Sequence, residues 1–194
     1  MLRSGLVALV LILPLPAFAA DATAPVREIM AAATSNWVDF DAASEEPPAY
    51  VDYFSEDALK RLYSRDFVAR YRQAAKYPAY EDDGSPFAYD PIIGGQDGCA
   101  LKDLTIGGAV AGDGQTQVTV TFDNTYCFEE NRDAGWKPVT LVFSLIEEDG
   151  RPVIDDIDRE NTEGGGSLKA EMQEITAAGM EGREQEVMPE DGAE

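Results

Sequence analysis

The sequence predicts an α+β protein in which N-terminal helices pack on a curved, four-stranded antiparallel sheet. Apolar residues recur three or four positions apart between residues 25 and 76, which is the spacing of amphipathic helices. Beyond residue 100, apolar and polar residues alternate, which is the pattern of half-buried strands. A turn-rich stretch from Tyr89 to Cys99, here named the joint segment, separates the two patterns and contains Asp90-Pro91 and Gly94-Gly95.

The first 19 residues have the pattern of a secretion signal. Arg3 precedes an apolar run from Leu6 to Leu15, and Ala17-Phe18-Ala19 forms a small-x-small cleavage site. The run is too short to span a bilayer, which takes about 20 residues. We therefore expect cleavage near Ala19 and a mature protein in the periplasm or outside the cell, with no membrane contact after cleavage.

The chain is strongly acidic, with 15 Lys and Arg residues against 37 Asp and Glu residues and a formal net charge of −22. Such a charge repels nucleic acid and favours a basic partner, although its simplest consequence is solubility. The sequence has no histidine and two cysteines, which excludes a Ser-His-Asp triad, a Cys-His pair and histidine-ligated zinc. We predict no catalytic residue and no cofactor. We also predict no metal site, because the acidic loop 78–86 lacks the ligand spacing of a calcium loop.

Two helices are predicted before the joint segment. The first runs from Pro25 to about Asp41 along a stripe of apolar residues. The second follows Ser55, a good N-cap, and runs to about Lys76. A basic flank on this helix is either an anion or partner site or, more simply, a solvated face. The flank consists of Lys60, Arg61, Arg65, Arg70, Arg72 and Lys76.

Four strands are predicted after the joint segment, at Leu101–Ile106, Gln115–Tyr126, Lys137–Glu147 and Arg151–Asp158. Glycine-containing turns separate them, so we expect an antiparallel meander with one face against the helices. A short helix capped by Ser167 comes next. The folded domain then covers residues 20–178, and the acidic stretch 179–194 is predicted to be a disordered tail.

The register of the first hairpin predicts a disulfide between Cys99 and Cys127. Centring the hairpin near Asp113 places Val120 opposite Ile106 and, by the same rule, Cys127 opposite Cys99. In this register the two cysteines would lie on the opposite side of the sheet from Ile106, unless a β-bulge between them shifts the alternation by one residue. An oxidising compartment favours the bond over two free thiols.

Candidate binding residues lie on the strands and in the joint segment. Carboxylates and a phenol on strands suit ligand contact or acid–base chemistry, although half the positions on a one-sided sheet face solvent. The two candidates in the joint segment have a simpler role in bonding the backbone of their own turn. The candidates are Asp123, Tyr126, Asp155 and Asp156 on strands, with Gln96 and Asp97 in the joint segment.

Several short motifs are spread over residues 25–175. They are Asp90-Pro91 with Gln96-Asp97, the strand Val118–Phe122, the Asp149-Gly150 turn leading to Ile154–Ile157, and Ser167-Leu168. Together they resemble a bacterial exported family, domain of unknown function 3828, within the cystatin-like and nuclear transport factor 2-like superfamily. That family places an aromatic residue before the last strand, whereas this chain has Arg151-Pro152-Val153. The resemblance implies a cone-shaped module without established chemistry.

Three functions stay open on this basis. The first is a non-catalytic periplasmic binding or accessory module that presents its curved sheet to a protein or a small ligand. The second is a small-molecule isomerase, dehydratase or hydrolase that uses carboxylate and tyrosine groups in the cone. The third is an immunity-type inhibitor of a basic toxin. A packed cone favours the binding module, and a deep pocket around a buried carboxylate favours the enzyme.

Overall fold

The computed structural model describes residues 21–38, 49–81, 84–112, 115–131, 137–160, 162 and 165–187. Within these ranges, four α-helices accompany a curved, unclosed antiparallel sheet, which confirms the predicted α+β class. The predicted signal segment lies outside the described residues. None of the described helices is long and apolar enough to cross a membrane.

The first helix, α1 (Ala24–Asn36), begins with a proline in its first turn, as predicted. It buries an apolar stripe that includes Val26, Ile29 and Met30. The helix ends earlier than the predicted limit near Asp41, because Trp37 leaves the helical conformation with φ −107° and ψ 74°.

The second predicted helix is two helices, α2 (Glu56–Leu62) and α3 (Arg65–Ala74), so the prediction of one continuous helix is wrong. Between them Tyr63 is extended and forms a parallel bridge with Ile154, and the Ser64 N–H donates to the Ile154 carbonyl over 2.8 Å. The Ser64 hydroxyl then caps α3 by accepting the Phe67 N–H. The chain interrupts its helical pattern in order to dock on the sheet.

The sheet contains two short strands beyond the four predicted. Its strands are β1 (Lys102–Ile106), β2 (Val110–Gly112), β3 (Gln115–Asp123), β4 (Val139–Glu148), β5 (Arg151–Glu160) and β6 (Gly166–Ser167). The order is β1-β3-β4-β5-β6, and β2 also pairs with β3. The sequence missed β2 and β6 because strands of two or three residues are too short to show alternation.

The first hairpin keeps the predicted register only at its centre, since β2 pairs with β3 one residue out of that register, as Val110 with Gln117. Ile106 pairs with Val120, but the register shifts between Thr105 and Lys102, where Asp103 takes a positive φ of 54°. Cys99 and Cys127 form the predicted disulfide, with their Cα atoms 6.1 Å apart, and both lie beyond the ends of the paired strands β1 and β3.

One face of the sheet is fully packed. Alternate residues of β3 and β4 point toward the helices and are at most 9% exposed. They meet apolar side chains from all four helices, among them Ile29, Leu59, Phe67 and Met172. The inward residues are Val118, Val120, Phe122, Val139, Leu141, Phe143 and Leu145. The inner face of the sheet is therefore a core and not an open cavity.

The last helix, α4 (Leu168–Val187), begins at the predicted cap, since the Ser167 hydroxyl accepts the Ala170 N–H over 3.1 Å. It continues beyond Gly179, where the sequence predicted the start of a disordered tail. The extra turns dock on Tyr77, because Arg183 lies over its ring at 4.3 Å and Gly179 leaves room for the ring. Residues 188–194 lie outside the described part of the chain.

Candidate functional site: an aromatic cleft beside the joint segment

Asp90 organises the start of the joint segment through four accepted hydrogen bonds. Its Oδ1 accepts the backbone N–H groups of Ile92 and Ile93 at 2.9 and 3.0 Å. Its Oδ2 accepts the Trp37 Nε1–H at 2.7 Å and the Tyr53 hydroxyl at 2.9 Å. The Asp-Pro turn recognised in the sequence therefore ties two distant aromatic side chains to one carboxylate.

These side chains belong to a cleft of about 830 Å³, here named the aromatic cleft. Its lining comes from the end of α1, the segment before α2, helix α3 and residues 80 and 84–96, and not from the sheet. Aromatic side chains supply nearly half of its lining: Trp37, Tyr50, Tyr53, Phe54, Tyr71, Tyr80, Phe87 and Tyr89. Its volume lies within the range of small-molecule sites, which is about 300–1,000 Å³.

The aromatic rings form a connected wall. Phe54 is the hub, because it stacks on Tyr71 with a centroid separation of 4.7 Å and meets Phe87 at 5.9 Å. Tyr53 extends the wall to Tyr50 through an edge contact of 6.0 Å. Offset and edge-to-face contacts at these distances are favourable. The base of the wall is therefore packed ring against ring, and Tyr50 projects from it at 65% exposure.

The charged groups that line the aromatic cleft are both acidic. They are Asp52 and Asp90, and none of the described lining residues is Lys or Arg. Asp52 is exposed at the rim, where its Oδ1 accepts the Phe54 N–H over 2.8 Å. Burial and the Asp90 charge raise the pKa of Tyr53 far above its ordinary value, so its hydroxyl stays a neutral donor.

A buried ion pair lies behind the cleft. Arg159 on β5 is 1% exposed and bonds both Glu171 of α4 and the Tyr89 hydroxyl, the latter over 2.6 Å. The Tyr89 hydroxyl also lies 2.7 and 2.8 Å from the two Glu171 carboxylate oxygens. Burial, followed by the hydrogen bond to Glu171, raises the pKa of Tyr89 to about 12. The cluster of Arg159, Glu171 and Tyr89, here named the seam, joins β5, α4 and the joint segment.

The two predicted candidates on β5 hold the domain together. The β4–β5 pairing shifts register at Asp155, because Ile154 pairs with Leu145 and Asp156 pairs with Ser144. Asp155 accepts the Ser64 hydroxyl at 2.7 Å and Lys169 Nζ at 3.1 Å, and Asp156 accepts the Ser167 hydroxyl at 2.6 Å. Burial alone would lower the pKa of Lys169, but its bonds to Asp66 and Asp155 outweigh burial and raise it.

The remaining candidates lie at the far end of β3 and in the joint segment. Asp123 is 7% exposed and accepts the Thr125 N–H over 2.9 Å, as in an Asx turn. Tyr126 lies in a 3₁₀ helix (Tyr126–Asn131) and not on the predicted strand, because β3 ends at Asp123. Lys102 stands over its ring at 5.2 Å.

Gln96 is the one sequence-predicted candidate that lines the aromatic cleft. Its Nε2 donates to the Ala88 carbonyl over 3.0 Å, which is the backbone role expected of it. Asp97 is exposed and lines a second, smaller cleft of about 370 Å³ with Asn124 and Thr125. The structure therefore does not bring the six candidates together into one site.

The basic flank of α2 and α3 is largely balanced by carboxylates. Arg61 pairs with Glu28 and Asp57, and Arg65 pairs with Glu148 and Asp149. Arg70 and Arg72 pair with Asp66 and Glu56. These ion pairs favour the simpler interpretation, a solvated face, over an anion site.

The sequence contained a signal for the aromatic cleft that the strand-based reasoning missed. Seven of the eight tyrosines lie between residues 50 and 89. Such density exceeds what helix packing needs, since a core is more often filled by aliphatic side chains. Five of these tyrosines line the cleft.

Comparison of the chain with models of protein families, with curated proteins and with solved structures finds no match. The resemblance to the exported family stays a prediction for that reason. Within the described ranges, no group of three or more acidic or cysteine side chains is placed to hold a metal ion.

Proposed function

We propose that this protein is an exported, non-catalytic binding module that takes up a small organic ligand in the aromatic cleft. One observation carries the proposal: a cleft of about 830 Å³ whose lining is nearly half aromatic and in which Asp90 bonds two of the rings, Trp37 and Tyr53. Ligand sites in proteins are concave and mostly apolar, with a few fixed polar groups. The cleft has all three properties.

The packing of the sheet favours a binding module over an enzyme of the open-cone type. Such an enzyme needs a cavity on the inner face, and here that face is filled by side chains from the helices. The strand carboxylates Asp155 and Asp156 are committed to serine, lysine and backbone donors. Neither lines the aromatic cleft.

The proposal also includes the compartment in which the protein resides and the type of fold. The disulfide between Cys99 and Cys127 supports an oxidising compartment, in line with the signal segment that the sequence predicts. The helix-on-sheet arrangement supports a variant of the cystatin-like cone with additional short edge strands. The cleft beside the helices then takes the place of the cone cavity as the binding site.

A probe panel with a blocking variant tests the proposal. Choline, 3,3-dimethyl-1-butanol, methyl glucoside and benzoate are titrated into the purified protein by calorimetry. Ala88 is exposed and lines the cleft, so Ala88→Trp should abolish the binding of any probe that occupies it. Ala111→Trp places the same bulk on exposed strand β2 and should leave binding unchanged. Absence of binding by every probe at millimolar concentration contradicts the proposal.

A further inference from the structure

We infer that the aromatic cleft selects a small organic cation that carries an alkylated ammonium group. This inference rests on the proposed function and adds the chemical class of the ligand. Three features of the cleft lead to it: the aromatic side chains of its lining, the sign of its charges and the way in which Asp90 is held.

The aromatic faces provide the first argument. An ammonium group is attracted to the face of a tyrosine or tryptophan ring within about 6 Å of its centre. Tyr53, Phe54 and Phe87 form a buried base, while Tyr50 and Tyr80 rise at the rim with exposures of 65% and 55%. The rings with surface left for a cation are therefore the exposed Tyr50 and Tyr80, together with the half-buried Trp37 and Tyr89 of the same lining. Several weak attractions then act on the same group.

The charges provide the second argument. Asp52 and Asp90 line the cleft without any Lys or Arg among its described lining residues, on a chain with a net charge of −22. A negative potential concentrates cations and repels carboxylates and phosphates. The cleft therefore discriminates by charge before a ligand makes contact.

The third argument is the environment of Asp90. All four of its hydrogen-bond donors are neutral: two backbone N–H groups, the Trp37 indole and the Tyr53 hydroxyl. These donors fix the carboxylate without cancelling its charge. A bound cation can therefore interact with a full negative charge that is already oriented, which avoids the cost of ordering it on binding.

An alkylated ammonium group fits this combination better than a metal ion. Small hard cations such as Mg²⁺ and Ca²⁺ require several oxygen ligands in close contact. Here the oxygens of Asp90 are already occupied by donors, and the remaining walls are rings. A methylated ammonium keeps its charge but presents an apolar surface, which suits both the rings and the potential.

The test compares two probes of nearly identical shape, choline and its neutral analogue 3,3-dimethyl-1-butanol. Calorimetric titration of the purified protein should give a dissociation constant for choline at least tenfold lower than that for the neutral alcohol. Raising the salt concentration should weaken the binding of choline and leave the binding of the alcohol unchanged. Equal affinity, or tighter binding of the alcohol, overturns the inference while the proposed function stands. Binding of neither probe, with methyl glucoside and benzoate also silent, overturns both.

Two pairs of variants locate the effect. Asp52→Asn keeps an oxygen for the Phe54 N–H and removes one charge at the rim, so choline should bind several-fold more weakly. Asp158→Asn makes the same change on an exposed strand position away from the cleft and should have no effect. An equal effect of the two substitutions contradicts a local role of charge.

The exposed rings are tested in the same way. Replacing Tyr50 and Tyr80 together by Leu retains apolar surface but removes the ring faces, and choline affinity should fall at least tenfold. Phe128→Leu removes an exposed ring outside the cleft, which is 43% exposed, and serves as the control. Undiminished choline binding by the double variant overturns the inference.

Discussion

Two tyrosine–carboxylate pairs meet at the start of the joint segment, and they differ in what balances the carboxylate. Asp90 accepts the Tyr53 hydroxyl and otherwise only neutral donors. Glu171 accepts the Tyr89 hydroxyl together with the Arg159 guanidinium, which neutralises it. The first pair keeps a negative charge beside an open cleft, and the second is an internally balanced seam. Similar groups can therefore lie beside an open cleft with their charge unbalanced, or join elements of the domain, according to whether a cation is already built in.

The seam should contribute more to stability than the cleft, which Arg159→Met tests. The variant leaves Glu171 next to Tyr89 without its cation, and breaking a buried ion pair costs about 3–5 kcal/mol. We expect the low end of that range, because the Glu171 side chain is 22% exposed. Urea unfolding measures the loss, while choline affinity should not fall.

The exposed pair of Arg72 and Glu56 provides the matched control. These side chains are 57% and 81% exposed, so Arg72→Met should cost at most about 1 kcal/mol. Similar losses in both variants would show that the seam is no more than a surface ion pair.

The joint segment, which supplies Tyr89 and Asp90 to the two pairs, is anchored at its other end by the disulfide. Replacing Cys99 and Cys127 by Ala should lower the free energy of unfolding by about 3–4 kcal/mol in the chain-entropy model. The Cys99 N–H still donates to the Asn124 carbonyl over 2.7 Å, so the folded segment should keep its place. Choline affinity is therefore expected to persist in the folded variant, and its loss would show that the two pairs depend on the covalent anchor.

The cleft pair should show a smaller effect on stability and a larger one on binding. Asp90→Ala leaves four donors without their acceptor, and we expect a loss of about 2–3 kcal/mol, since each buried unsatisfied donor costs about 1–3 kcal/mol and water in the cleft reaches some of them. Asp90→Asn retains one carbonyl oxygen for the backbone donors, so its free energy of unfolding should fall by about half as much. Urea unfolding combined with choline titration separates the two effects. Full stability of Asp90→Ala would contradict the organising role of this carboxylate.

The strands were predictable from sequence because alternation of apolar residues fixes which face is buried. The same regularity predicted the pairing of Ile106 with Val120, whereas the disulfide was predictable mainly because the chain has two cysteines. The break between α2 and α3 was not predictable from periodicity, since the apolar spacing continues across Tyr63. Ser64 followed by Asp66 was a local capping signal for it.

The aromatic cleft lay beyond sequence reasoning for a different reason. Its walls come from segments that are far apart in the chain: Trp37 and Tyr53 reach Asp90 across 53 and 37 residues. A local pattern identified Asp90 as part of a turn, but only the fold shows which donors its side chain meets. The strand carboxylates were conspicuous in sequence and proved to be bonded within the domain.

The smallest expected effect is on the alkaline limit of stability, and it involves both tyrosines. The pKa of Tyr89 is raised from 10.0 to about 12, and that of Tyr53 is raised as well, so the folded protein keeps protons that the unfolded chain releases above pH 10. Stability contributed by these groups is complete below pH 10 and is lost as the pH rises toward their folded values. In urea unfolding between pH 9 and 11.5, Tyr89→Phe and Tyr53→Phe should each show a shallower decline than the wild type. Tyr80→Phe, at a ring that is 55% exposed, is the control. If the stability of Tyr89→Phe declines with pH as steeply as that of the control, Tyr89 does not keep its proton through the hydrogen bond to Glu171.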